Sequence, residues 1–237
     1  MELIPEIIYE DEKLVVVNKP SGMIVYPDGR HDYPALSHWL EKRYPSDDSD
    51  KPNFYFVHRI DRETSGVLVV TKDAKTHEFL KEQFAEREVQ KTYRAFVLGN
   101  LKDERGMINK PIGSSRGGSG PRSAKQPKGT TREALTIYKT LDRSPTTTGI
   151  SSRATYVEVY PKTGRTHQIR VHFSAIGHPI VADVLYGAKG GTKLLGFNRL
   201  ALHAMSILIT HPNGKDMTFS APLPPDFLQA EKELRNS

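Results

Sequence analysis

Apolar residues in this chain gather in short runs more often than they recur at helical spacing. "KLVVVNKPSG" (13–22) is a continuous apolar run stopped by Pro20 and Gly22, which predicts a buried strand. "GVLVVTK" (66–72) reads the same way, and "KTYRAFVLG" (91–99) alternates like a strand ended by Gly99. Alternation returns in "EALTIYKTL" (133–141) and "ATYVEVYPKTG" (154–164), and late strands are expected in "RLALHAMSILITHP" (199–212) and "MTFSAPLP" (217–224). Three segments carry the helical period instead. "ALSHWLEKRY" (35–44) puts Leu36, Trp39, Leu40 and Tyr44 on one face. "DAKTHEFLKEQFAERE" (73–88) starts at Asp73 as N-cap and sets Leu80 and Phe84 four apart. "THQIRVHFSAIGHP" (166–179) opens with Thr166 as cap, aligns Ile169, Phe173 and Ile176, and is closed by Gly177 and Pro179.

Many strands with few, scattered helices do not alternate as a doubly wound parallel sheet would. The expected fold is α+β, with a predominantly antiparallel mixed sheet and flanking helices. No internal repeat and no linker divides the sequence, so residues 1–237 are expected to form a single domain, with 105–132 the one candidate boundary.

That stretch changes the meaning of the net charge of +6. It holds Arg105, Lys110, Arg116, Arg122, Lys125, Lys128 and Arg132, while the remainder of the chain is close to neutral. Its core, "PIGSSRGGSGPRSAKQPKGTT", is rich in Gly, Ser and Pro and predicts a flexible basic insertion loop. Such a loop suits a polyanion, because each phosphate neutralised releases counterions; a solubilising loop has the same composition.

Several chemistries are excluded. The 237 residues include no cysteine, which removes disulfides, thiolate metal sites and a cysteine nucleophile. The acidic start "MELIPEIIYEDEK" does not resemble a signal peptide, and no apolar run approaches a membrane span, so a cytoplasmic protein is expected. His167 and His172 are five apart, pointing about 140° away from one another on a helix, which is poor ligand geometry; these histidines are expected to bond locally or face RNA. Neither "GGSG" nor "GAKGG" ends as a phosphate-binding P-loop does, and there is no Gly-x-Ser-x-Gly elbow.

What remains is "HRIDRETSG", a carboxylate, Asp61, between Arg59 and Arg62, followed by a turn expected at Gly66. A carboxylate is ionised at neutral pH and needs no base to act as a nucleophile. Burial would quench it unless a cation opposed the shift. "TGRTHQIR" offers Arg165 and Arg170, and Arg170, one turn into the predicted helix, is the better placed. An Asp–Arg pair that merely pins a loop is the alternative reading of the same residues.

"HRIDRETSG" resembles the signature of the RluA-type pseudouridine synthases, with Ile60 where leucine is usual. "EDEKLVVVNKPSGMIVYP", "KTYRAFVLG", "PKTGRTHQIRVHFSAIGHPIVADVLYG", "RLALHAMSILITHP" and "FSAPLP" resemble further motifs of that family, in order, across residues 7–227. Nothing in 100–153 adds to the resemblance. It implies a pseudouridine synthase fold with a central active-site cleft and an enzyme that isomerises uridine in ribosomal or transfer RNA. It makes Asp61 the nucleophile and Arg62 the residue that fills the stack vacated by the target base. Tyr93 becomes the tyrosine on the uracil, Arg170 the partner of the carboxylate, and Leu202 an apolar wall. Arg59, Arg165, His167, Arg116, Arg122, Lys125 and Lys128 are expected to contact RNA. Because the product is an isomer, no cofactor and no metal is expected, and a monomer is the default. Many relatives carry a small RNA-binding domain ahead of the catalytic one, and no room for it is expected before about Ile7. A non-catalytic RNA-binding module on the same fold is the rival reading.

Overall fold

The computed structural model describes residues 3–27, 29, 31–45, 53–115, 121–145, 153–187 and 191–236. The elements run β1 (Glu6–Glu10), β2 (Leu14–Lys19), α1 (Leu36–Arg43), β3 (Tyr55–Phe56), β4 (Ser65–Thr71), α2 (Ala74–Ala85), β5 (Gln90–Leu98) and β6 (Arg105–Asn109). They continue as β7 (Ile112–Ser114), β8 (Arg122–Ser123), β9 (Lys128–Arg132), β10 (Leu135–Arg143), β11 (Ala154–Pro161), α3 (Gln168–Ala175), β12 (Leu202–Thr210), β13 (Asp216–Ser220) and α4 (Pro225–Asn236). The fold is α+β, as expected. Two compact units emerge, Met1–Lys91 with Ala204–Pro222, and Thr92–His203 with Leu223–Ser237. The chain changes unit after Lys91, His203 and Pro222, so the basic stretch 105–132 is not the divide.

In the first unit the strand order is β1-β2-β4-β12, with β13 on β12 and β3 on β4. β2 pairs antiparallel with both β1 and β4. Leu14, Val15, Val16 and Val17 are all fully buried, as are Leu68, Val69 and Val70. An apolar run without alternation is what a strand covered on both faces needs. Leu36 and Leu40 of α1 and Leu80 of α2 are buried as well. Asp73 caps α2 as expected, its carboxylate accepting the Thr76 N–H at 2.8 Å.

In the second unit β5-β11-β10-β6 form an antiparallel sheet. Its core gathers Phe96, Val157, Phe173, Phe197 and Leu202 with Phe227, Ala230 and Leu234 of α4. The three-and-four spacing of those last residues marks a helix that the sequence analysis leaves unassigned. α3 begins one residue later than expected. Thr166 is not its cap; His167 holds that position in the left-handed conformation (φ 58°) with no side-chain cap bond. Gly177, at φ 86°, ends the helix as expected.

The largest difference concerns residues 105–132. Where the composition predicts a loop, the described residues contain β6, which extends the sheet beyond β10, and a separate three-stranded sheet ordered β8-β7-β9. β9 is exposed along its whole length. Its pairing rests on backbone hydrogen bonds, which leave no hydrophobic alternation for a sequence to display.

Candidate active site

Asp61 belongs to the first unit, whereas Tyr93, Arg170 and Leu202 belong to the second. The two groups are described separately.

Asp61 is half-buried on the turn that joins β3 to β4. Its carbonyl accepts the Thr64 N–H at 3.1 Å, closing the turn over Arg62 and Glu63. The turn is tied to the segment that follows β2. The Arg62 carbonyl accepts the Gly22 N–H at 2.8 Å, and the Glu63 carbonyl accepts the Ser21 hydroxyl at 2.6 Å. Lys19, fully buried, extends its ammonium to the carbonyls of Met23 (2.7 Å), Pro20 (2.9 Å) and Arg62 (3.1 Å). An ammonium surrounded by carbonyl dipoles fixes their relative positions, and with them the backbone next to Asp61. The "NKPSG" and "HRIDRETSG" motifs are therefore the two halves of one backbone clamp.

Gly66 does not make the turn expected of it, because it already lies in β4, at φ 115°. Its role is proximity. A Cβ there would overlap the carbonyl oxygen of Ala204 and come within 2.8 Å of that residue's carbonyl carbon and amide nitrogen. Only glycine lets β4 approach β12 so closely.

The arginines flanking Asp61 each have an aromatic neighbour. Arg59 lies 5.3 Å from the Tyr26 ring centroid and donates to its hydroxyl at 3.2 Å. Arg62 stacks 4.0 Å above Tyr33 and donates to Glu63 Oε1 from Nε (2.9 Å) and Nη2 (2.6 Å). Tyr33 in turn stacks on His31, with centroids 5.1 Å apart. His58 serves the scaffold. Its Nε2 accepts the Val69 N–H at 3.0 Å and its ring stacks on Phe84. Burial, with the nearby Lys91 charge second, pushes its pKa down to about 3, so the imidazole is neutral.

In the second unit Tyr93 is opposite Val159 of β11, with its ring against the core, and Leu202 is buried in that core. Arg170 is buried in α3 and grips Asp183, through Nε to Oδ2 (2.8 Å) and Nη2 to Oδ1 (2.9 Å). Its guanidinium also lies 5.2 Å from the ring centroid of Tyr186. His167 forms a 2.8 Å hydrogen bond between Nδ1 and the Tyr186 hydroxyl, the local role that was one of its two expected readings. His172 likewise bonds locally, to Thr136 Oγ1 and the Lys110 carbonyl, both at 2.9 Å.

Of the residues expected to contact RNA, Arg122, Lys128 and Arg165 line one cleft together with Arg132. Lys125 is exposed between β8 and β9, and Arg116 lies outside the described residues. The sequence reading missed Lys19, Asp183 and Tyr186. The signals were present in "NKPSG" and "ADVLYG", but nothing local says which partner each residue finds.

The model of the family described as RNA pseudouridylate synthase matches residues 13–175. The chain is 37% identical over 242 residues to a ribosomal large subunit pseudouridine synthase D of Pseudomonas aeruginosa, covering 97% of this chain and 72% of that protein. To a ribosomal large subunit pseudouridine synthase C of Vibrio vulnificus it is 38% identical over 240 residues, covering 100% of this chain and 71% of that one. Among solved structures, human RNA pseudouridylate synthase domain containing 4 is similar with a TM-score of 0.76 and 26% identity, over 97% of this chain and 92% of the other.

Proposed function

Because the chain belongs to the RNA pseudouridylate synthase family and is an RNA pseudouridine synthase, an isomerase, we propose that Asp61 is its nucleophile and that large-subunit ribosomal RNA is its substrate. The observation that carries the reading is the clamp around the Asp61 turn, in which Lys19, Ser21 and Gly22 bind the carbonyls of Arg62 and Glu63. A nucleophile must be held at fixed geometry, and three hydrogen bonds from within "NKPSG", two from side chains and one from a backbone N–H, supply that. The reaction breaks the N1–C1′ bond, turns the uracil and joins its C5 to C1′, C5 giving up its proton and the freed N1 taking one up. Atoms balance without a co-reactant, so the chemistry asks for no cofactor. The Asp61 carboxylate adds to the ribose or to the base and is released when the new bond forms.

Arg170 supplies the cation for Asp61 in this reading. A guanidinium has five N–H donors, and the pair with Asp183 fixes the plane in which Arg170 offers them. Tyr93 and Leu202 bound the uracil. The base must leave its stack, at a cost of a few kcal/mol, and Arg62 offsets part of it by filling the gap. Arg59 and the cations around 105–132 hold the RNA backbone. The large-subunit target follows the names of the relatives from Pseudomonas aeruginosa and Vibrio vulnificus. No helix among the described residues is long and apolar enough to cross a membrane. A cytoplasmic monomer is part of the proposal.

The test is to map pseudouridines in total RNA from cells with the protein, without it, and with Asp61→Asn. Loss of the same large-subunit position in the last two supports the reading. Retention with Asp61→Asn, or loss confined to transfer RNA, refutes the nucleophile or the target respectively.

A further inference from the structure

The second unit holds a cleft of about 440 Å³ whose cations come from three separate segments. Arg122 stands on β8, Lys128 and Arg132 on β9, and Arg165 on the turn before α3. Ser114 and Thr166 add hydroxyls, and no carboxylate is found among the described residues that line it. Part of this lining is firmly built. Arg165 Nε donates to the Glu133 carbonyl at 3.0 Å, and the Arg165 N–H donates to Gln168 Oε1 at 3.0 Å. Gln168 is itself buried and donates to the Leu135 carbonyl and to Thr136 Oγ1, each at 3.0 Å. One arginine is thus presented from a rigid floor while the other three cations ride on the small sheet. Cations spread over three segments suit a chain of phosphates better than a single anion.

Behind the cleft one side chain touches both its wall and Arg170. The Tyr186 hydroxyl accepts the backbone N–H of Arg122 at 3.2 Å and shares the 2.8 Å bond with His167 Nδ1. The Tyr186 ring packs on the Arg170 guanidinium, and its own N–H donates to Asp183 Oδ1 at 3.0 Å. β8 is only two residues long, so a pull on Arg122 moves the N–H that Tyr186 accepts.

We propose that this cleft is a subsite for RNA phosphodiesters and that Tyr186 is the positioning residue coupling its occupancy to Arg170. The inference rests on the reading in which Arg170 serves Asp61. Binding of backbone phosphates draws β8 and β9 inward and tightens Tyr186 against Arg170, so that the guanidinium is held in one orientation only when RNA is engaged.

The test uses the full chain and a large-subunit ribosomal RNA transcript, with three proteins compared with the wild type: Arg122→Gln/Lys128→Gln/Arg132→Gln, Tyr186→Phe, and their combination. The triple variant should reduce the salt dependence of binding by about two phosphate equivalents and weaken affinity about tenfold or more. Tyr186→Phe keeps the ring on Arg170 and loses the hydroxyl, so affinity should stay within about twofold while the single-turnover rate at saturating RNA falls about tenfold. In the combined protein the rate should fall no further than in either parent, as for residues acting as one unit. An unchanged salt slope in the triple variant overturns the subsite. Rate losses that multiply, or a Tyr186→Phe protein that loses thermal stability while keeping its rate, overturn the coupling. Inorganic phosphate that competes equally well against wild type and triple variant also overturns the subsite; a wild-type protein that forms no pseudouridine would instead sink the enzymatic reading itself.

Discussion

Asp183 grips Arg170 with both carboxylate oxygens, at 2.8 and 2.9 Å, and both side chains are buried. Asp183 Oδ1 also accepts the backbone N–H groups of Leu185 and Tyr186 at 2.9 and 3.0 Å. The pair thus fixes the orientation of an arginine from one end while joining α3 to the segment 183–186.

Asp183→Asn should cost about 3–5 kcal/mol of stability, because it leaves a buried guanidinium without its carboxylate. Urea unfolding checks this. Burial alone would raise the Asp183 pKa, but hydrogen bonding and charge attraction from Arg170, with the two backbone donors, hold it below the usual carboxylate range. The stabilisation is therefore complete above about pH 4 and is lost only as the pH falls through the lower folded-state value. The variant should lack that steep acid limb and differ most from the wild type near neutral pH. Its single-turnover rate should fall at saturating RNA, since Arg170 loses its fixed plane.

Gly66→Ala should be among the most damaging single-methyl additions to the first unit. The added carbon meets the Ala204 backbone, which cannot rotate away, and φ 115° is strained for any residue with a Cβ. The expected loss is above about 3 kcal/mol, with expression in the soluble fraction and the urea midpoint as readouts. Gly29→Ala, where a Cβ would meet nothing within 4 Å though φ is also positive (70°), should cost about 1 kcal/mol and isolates the conformational part.

The contrast between these sites explains what could be read in advance. The runs 14–17 and 67–70 could be placed as buried strands because burial on both faces writes itself into consecutive residues. Asp73 was legible as a cap because its partner, Thr76, is three residues away. Asp61 stood out by its motif, and so did the clamp's sequence, "NKPSG". That Lys19 reaches the Arg62 carbonyl, 43 residues on, did not, because a buried lysine has no sequence mark that distinguishes it from an exposed one. The strands β7 to β9 were hidden by Gly, Ser and Pro, and β9 also by an exposed surface that selects no apolar pattern. Asp183 was invisible as the partner of Arg170 for the same reason as Lys19: the contact is tertiary, and only the fold brings 170 and 183 together.

His58 should give the first unit a pH dependence of opposite origin to that of Asp183. Its folded-state pKa of about 3 lies below the ordinary value of 6.5. Above pH 6.5 neither folded nor unfolded chain carries its proton, and it contributes nothing to the slope. Between 6.5 and 3 the unfolded chain takes up a proton that the folded chain refuses, so stability falls on acidification. His58→Gln keeps an acceptor for the Val69 N–H but cannot titrate. Its urea midpoint should be less sensitive to pH between 6.5 and 4.5 than the wild type's, and equal slopes would mean that His58 is protonated in the folded state.

Thr64, next to the Asp61 turn, is 1% exposed, and its hydroxyl has no hydrogen-bond partner among the described residues. A buried unsatisfied hydroxyl is a cost, so Thr64→Val should leave stability unchanged or raise it by about 1 kcal/mol. A loss above about 2 kcal/mol in urea unfolding would show that the hydroxyl is bonded after all.

In the proposed mechanism Glu63 competes with RNA for Arg62. The Arg62–Glu63 ion pair is close, at 2.6 Å, yet both side chains are about one-third exposed (34% and 30%), so its net contribution to stability is small, about 0–1 kcal/mol. The same contact neutralises a guanidinium that the proposed mechanism sends into the RNA stack. Glu63→Gln keeps the length of the side chain and the Tyr33 platform under Arg62, removes one negative charge beside Asp61, and releases Arg62 more readily. Thermal stability should change by little, while affinity for the large-subunit transcript should rise several-fold at low salt. The gain should shrink as salt is added, since it is a charge effect at a half-exposed site. Equal affinities for the two proteins at low salt would mean that Arg62 stays on Glu63 and Tyr33 when RNA binds, and that another side chain fills the space left by the turned-out base.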